Sequence, residues 1–164
     1  MAISLTQKER MLLEDQKSHE QLCIKKYQDY ANKTQDQQLK QLFNNYAAQE
    51  QTHLDSINQI LSGQVPQMNQ QQGQQGQQAQ QPQGQQNKMN GNPQTSFLSS
   101  PEDKSLCQDL LVDEKYVSSS YNTAIFEMTD TNVRQVLNHI QKEEQEHGEG
   151  IFNYMKSHGM YNVQ

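Results

Sequence analysis

Four stretches of the chain carry apolar residues at helical spacing. The second stripe runs Leu39, Leu42, Phe43 and Tyr46, then Leu54, Ile57, Ile60 and Leu61. The fourth runs Val133, Val136, Leu137 and Ile140, then Ile151, Tyr154 and Met155. The first offers Leu12, Leu13, Cys23, Ile24, Tyr27 and Tyr30; the third offers Leu106, Leu110, Val117, Tyr121 and Phe126. Recurrence at three and four residues marks amphipathic helices, and the period-two alternation of strands is missing. Helix starts are marked by Thr6 with Glu9 and by Thr34 with Gln37, both spaced as capping boxes. Ser100 before Pro101 and Glu102 marks a third, and Thr129 or Asp130 a fourth. Gly63 and Gly159 are stop signals. The pattern predicts helices over 7–33, 35–62, 101–128 and 131–157, an all-α fold.

The two halves superpose without a gap at an offset of 94 residues. Leu12 then meets Leu106, Tyr27 meets Tyr121, and Asp36 meets Asp130. Gln41, Asn44, Glu50, His53 and Ile57 meet Gln135, Asn138, Glu144, His147 and Ile151. This is a duplicated helical hairpin, and two hairpins make a four-helix bundle.

The apolar stripes are interrupted, and the interruptions carry the chemistry. Between Tyr46 and Ile57 the inward face passes through Glu50 and His53; between Ile140 and Ile151 it passes through Glu144 and His147. Residues three apart share a helical face, so each pair points inward. Glu20 falls between Leu13 and Tyr27, and Glu114 between Leu110 and Tyr121. Each glutamate lies 15 residues from the tip of its hairpin, taken near residues 35 and 129, so all four share one level. An unpaired buried ion costs several kcal/mol, so these groups need partners. Lys17, one turn from Glu20, is the candidate internal cation; Lys40, Lys115 and Lys142 fall off the stripes. Two divalent ions would cancel four carboxylates and use both imidazoles. One Glu from each of two helices, with Glu-x-x-His from each of the other two, is the arrangement of ferritin-like di-iron and di-manganese proteins. The expected ligands are Glu20, Glu50, His53, Glu114, Glu144 and His147, holding two Fe or Mn ions. Without metal, protonation, Lys17 and water must satisfy the group. Tyr27 and Tyr121, two turns from their glutamates, belong to the core or donate to metal-bound carboxylates. Glu143 and Glu146 are assigned to a solvated face, and Glu14 and His19 have no counterpart in the second half.

Composition divides the chain. Residues 63–97 are dominated by Gln, Gly, Asn and Pro, with Lys88 the only charge. Such a stretch buries too little apolar surface to offset its ordering entropy and reads as a disordered linker. It separates a first hairpin, 1–62, from a second, 98–164. The linker can serve a crossover between parallel helices or a plain up-down bundle. The chain has 164 residues, a net charge of -6 and no basic run, which argues against nucleic-acid binding. No apolar run reaches membrane-spanning length, and the first residues lack a secretory signal pattern, so no membrane insertion is expected. Cys23 and Cys107 form neither a disulfide framework nor a zinc spacing and read as buried thiols.

The second half, through "DLLVDEKYVSSSYNTAIFEM", "VRQVLNHIQKEEQEHGEGIFNYM" and "SHGMY", resembles the Coat F family of spore coat protein F-like domains over about 106–161. The first half, through "LLEDQKSHEQLCIKKYQDYA" and "LKQLFNNYAAQEQTHLDSI", is a more distant relative. The resemblance implies a ferritin-like bundle, synthesis in the mother-cell cytoplasm, and a place in the spore coat. Implied partners are other spore coat proteins or the chain itself. Met160 stands where the family's ending leads one to expect an aromatic residue. Two functions follow: a structural coat component, with the Gln-rich segment as spacer or cross-linking arm, or a di-iron or di-manganese protein. The latter would be an oxidoreductase acting on peroxide or oxygen, or a metal store.

Overall fold

The computed structural model describes residues 3–67 and 100–162. The Gln-rich linker beyond residue 67 therefore lies outside the described residues. Four helices form the bundle: α1 (Gln7–Lys33), α2 (Gln37–Leu61), α3 (Pro101–Glu127) and α4 (Thr131–Ser157). No strand occurs among the described residues.

The helix ends follow local chemistry. Thr6 and Glu9 form the expected reciprocal capping box on α1. Glu9 also accepts hydrogen bonds from the Thr129 backbone N–H, at 2.7 Å, and from its hydroxyl, at 2.9 Å. One buried carboxylate thus ties the start of α1 to the α3–α4 turn. Burial works to raise the pKa of Glu9, but these donors and those of Thr6 prevail and hold it near 2. The second helix starts two residues later than the sequence pattern suggests. Asp36, not Thr34, is the cap, accepting from the Leu39 N–H, while Thr34 accepts from Asp36. Asp130 caps α4 in the same way, and Ser100 caps α3 with Pro101 in its first turn. Gly63 and Gly159 take positive φ values of 87° and 67° after α2 and α4, where side chains are strained.

The hairpins pair α1 with α2 and α3 with α4, and join along two further seams, α1–α3 and α2–α4. Along the first seam Lys8 reaches Glu127, Gln16 reaches Ser120, and Lys26 reaches Asp109 and Asp113. Ascending numbers meet descending ones, so α1 and α3 are antiparallel. Along the second seam Gln49 meets His147 and His53 meets Glu143, again antiparallel. It follows that α2 and α3 run parallel. The end of α2 lies beside the start of α1, where the Ile3 N–H donates to the Gly63 carbonyl. The start of α3 lies at the opposite end, about 40 Å away for a 27-residue helix. This is the crossover topology, chosen over the up-down alternative.

Apolar layers fill the bundle on both sides of its middle. Leu13, Ile57, Ile60, Tyr121, Val133 and Val136 lie towards the start of α1; Tyr27, Leu39, Phe43, Leu110, Ile151 and Met155 lie towards its end. Met160 is buried against this core, and Cys23 and Cys107 are buried free thiols. One expected core residue is not there: Phe126 is 82% exposed. Tyr121, Ala124 and Met128 hold the inward stripe at the end of α3, and Phe126, two residues on from Ala124, is turned some 200° around the helix.

Because Glu9 serves two elements and Thr6 one, their truncations should differ. Thr6→Ala should cost about 1 kcal/mol, the usual value of a cap. Glu9→Ala should cost more, since it also leaves the Thr129 N–H without its acceptor. Urea denaturation of both variants checks the order; equal losses would show that the Glu9–Thr129 link contributes nothing.

Candidate metal centre

At the level left between the apolar layers, the helical period brings Glu20, Glu50, His53, Glu114, Glu144 and His147 to the bundle axis, all buried. All six expected ligands converge. Their donor atoms form two overlapping groups: Glu20, Glu50, His53 and Glu144, and Glu50, Glu114, Glu144 and His147. Within each group the atoms lie within 4.8 Å of one another. Glu50 and Glu144 belong to both, so one carboxylate from each hairpin is placed to bridge.

The imidazoles are aimed by their two nitrogens. His53 Nδ1 lies 3.0 Å from Glu144 Oε1, 3.2 Å from Glu50 Oε2 and 3.6 Å from Glu20 Oε2. His147 Nδ1 lies 3.0 Å from Glu50 Oε1 and 3.9 Å from both Glu114 Oε1 and Glu144 Oε2. The other nitrogens point away from the centre. His53 Nε2 is 2.8 Å from Glu143 Oε2, and His147 Nε2 is 3.0 Å from Gln49 Oε1. An outward N–H held by an acceptor leaves Nδ1 free to ligate, the usual second-layer support of a metal-binding histidine. Glu143 is therefore not part of a purely solvated face. It stands in the α2–α4 seam, partly exposed, and covers the outer nitrogen of the buried His53. The repeat carried the signal: Gln49 and Glu143 occupy equivalent positions, each one residue before a ligand glutamate. Glu146 does lie at the surface, paired with Lys142.

The tyrosines cross between hairpins. Tyr27 donates to Glu114 and Tyr121 donates to Glu20, so each holds the glutamate of the opposite hairpin rather than its own. Glu20 and Glu114 share one level across the antiparallel α1–α3 seam, and each long tyrosine side chain leans back towards the start of its own helix to reach the glutamate of the facing one. Tyr46 adds a contact that only the first half has. Its ring lies 4.3 Å from that of His147. A Cβ at Gly150 would overlap the Tyr46 hydroxyl, so this glycine lets the ring cross α4. Lys17 does not serve as the internal cation: its ammonium pairs with Glu14, at 3.8 Å, on the outside of α1. Glu14 is half exposed there, and His19 meets the Tyr116 ring edge-to-face. Neither enters the centre.

Electrostatics follow from burial. Desolvation pushes the Glu20 carboxyl up to about 8 and the Glu144 carboxyl up to about 7. Burial and repulsion from Glu144 drive Glu114 well above the ordinary range. Burial also acts against Glu50, but hydrogen bonds from His147 and His53 win and hold it low. Burial would lower His53, yet Glu143, Glu144, Glu20 and Glu50 together raise it well above its ordinary value. Four carboxylate oxygens, Glu20 Oε2, Glu114 Oε2 and both of Glu144, are buried without a hydrogen-bond partner in the protein. Glu144 Oε1 is near His53 Nδ1 in distance but not aligned for a hydrogen bond. Orphaned, converging carboxylate oxygens beside two correctly turned imidazoles fit a pair of hard divalent ions.

Without metal, the pH dependence of stability has a definite sign. Glu20 and Glu144 rise from an ordinary value of 4.5, so above it the folded state keeps protons that the unfolded chain has lost. Stability then falls as pH rises from 4.5 towards about 8. His53, also raised, acts in the same direction: its contribution is complete below 6.5 and is lost as pH climbs through the folded value. Glu50 and Glu143 are lowered, so above 4.5 they are ionised in both states and do not alter the slope. The urea midpoint of the metal-free protein should therefore drop between about pH 5 and about pH 8. A rising midpoint would contradict this protonation pattern.

Comparison with known proteins agrees with the fold. Residues 102–164, which hold α4 and all of α3 but its first residue, match the Coat F domain. The whole bundle is similar to the crystal structure of a two-domain protein from Anabaena variabilis containing DJ-1/ThiJ/PfpI-like and ferritin-like domains. The TM-score is 0.68 at 15% identity, over 98% of this chain and 40% of that one. At that identity the likeness shows the fold alone, and the chain spans only two-fifths of that protein's length. No curated protein matches the chain significantly. The second hairpin is thus similar to the Coat F domain, and the four helices together have the fold of a ferritin-like bundle.

Proposed function

We propose that this chain is a structural component of the endospore coat whose bundle holds a dinuclear Fe or Mn centre. One observation carries the metal reading. Two donor groups share Glu50 and Glu144, and four carboxylate oxygens among the ligands find no partner within the protein. Glu20 and His53 would be terminal on one ion, Glu114 and His147 on the other. Oxygen and imidazole donors without thiolate suit Fe or Mn. When bound, such a pair supplies redox chemistry towards peroxide or oxygen. The protein's own residues hold the cage: Tyr27 and Tyr121 fix the terminal glutamates, and Glu143 and Gln49 fix the imidazoles. The Coat F domain supports the coat assignment, with other coat proteins or further copies of the chain as partners. It also supports synthesis in the mother-cell cytoplasm before incorporation into the coat. Among the described residues no helix is long and apolar enough to cross a membrane.

A second reading, a peroxide- or oxygen-consuming enzyme or a metal store, is favoured by a cleft between α3 and α4 that reaches Glu114 and Glu144. Both readings use the same six ligands.

Protein purified without chelator should carry about two Fe or Mn ions per chain. Replacing the bridging pair, Glu50→Ala with Glu144→Ala, should abolish binding while helicity persists. A wild type that stays metal-free after loading with either ion would sink the metal reading. The coat reading is tested by fractionating mature spores: the chain should be recovered with the extracted coat layers, and recovery only from the mother-cell lysate would refute it.

A further inference from the structure

We propose that divalent cations reach the centre through a one-sided port between α3 and α4, kept open by Gly148 and Ser118. The proposal rests on the metal reading above. A cleft of about 380 Å³ opens on this face, lined by Leu111, Glu114, Lys115, Ser118, Glu144 and Gly148 among others. Its floor is made by two of the ligands, Glu114 and Glu144. These carry three of the four buried oxygens that lack a partner. A water molecule occupies about 30 Å³ in the liquid, so the cleft can take an ion with much of its hydration shell. Exchange of those waters for the orphaned oxygens would draw the ion inward. Lys115 sits on the rim with an exposed side chain, so its charge stays in solvent.

Gly148 has no packing reason to be glycine. A Cβ there would stand 3.7 Å from Glu114 Cβ and 3.7 Å from Leu111 Cδ1, ordinary contacts. Glycine inside a helix costs about 1 kcal/mol relative to alanine. Gly150, two residues on in the same helix, is explained by the Tyr46 ring; Gly148 is not. What its missing side chain leaves is the cleft.

The duplication supplies an internal control. The equivalents of Gly148 and Ser118 in the first hairpin are Leu54 and Ile24. Leu54 is buried and Ile24 half-buried. The ligands Glu20 and Glu50 are kept at the positions of Glu114 and Glu144. The first hairpin thus holds the same carboxylates behind two branched aliphatic side chains, and the second holds them behind none.

Substituting the first hairpin's residues into the second tests the port. Metal-free wild type, Gly148→Leu and Ser118→Ile are mixed with Co²⁺, and the visible d–d absorption of the bound ion is followed by stopped flow. Circular dichroism checks that each variant remains helical. Loading of the variants should slow by about tenfold or more, with final cobalt stoichiometry unchanged. Full stoichiometry reached at the wild-type rate in both folded variants overturns the port and leaves the metal centre standing. A wild type that takes up no cobalt, iron or manganese overturns both.

Discussion

Four carboxylates held within a few ångströms of one another, in an apolar bundle, set the terms for everything else in this molecule. A domain of this size is stable by only about 5–15 kcal/mol, and one uncompensated buried ion costs several. The apolar layers on either side exclude water from the level of the glutamates. Each surrounding feature then answers to that charge. Tyr27 and Tyr121 donate to the terminal glutamates, His53 and His147 draw the shared Glu50 into its ionised form, and Glu143 and Gln49 hold the imidazoles from behind. Some oxygens are still left over, and these are the ones that face where ions would sit.

The centre is built from two incomplete halves. Each hairpin contributes two glutamates and a histidine, and the tyrosine donors and the outer imidazole acceptors come from the other hairpin. The stretch that matches the Coat F domain, residues 102–164, contains Glu114, Glu144 and His147 and lacks the shared Glu50 and the Tyr27 donor. Pairing of the hairpins is therefore a condition for the cage as well as for the core. Glu9, which clasps the start of α1 to the α3–α4 turn, reinforces that pairing far from the metal level.

The breaks in the repeat matter as much as the repeat. Gln49 opposite Glu143 gives one histidine a neutral acceptor and the other an anionic one. Tyr46 opposite Ile140 puts an aromatic ring on His147 alone. Leu54 opposite Gly148 fills one face and opens the other. A symmetric set of glutamates and histidines thus sits in an asymmetric shell, and the two donor groups have chemically distinct surroundings.

Periodicity along the chain settled the helices, their inward faces and the common level of the four glutamates, because these depend on residues a turn or two apart. The duplication made the six ligands legible, since each half vouches for the other. Cap choice at Asp36 was missed because Thr34 and Asp36 offer nearly the same local chemistry. Phe126 was misplaced because its apolar side chain suggested core, although two residues from both Ala124 and Met128 it falls on the opposite face of the helix. Glu143, the crossed tyrosine bonds, the antiparallel α1–α3 seam and the cleft at Gly148 were settled only by tertiary structure. A helical period defines a side chain's angle about its own axis; it does not say which neighbouring helix stands at that angle, or in which direction that neighbour runs.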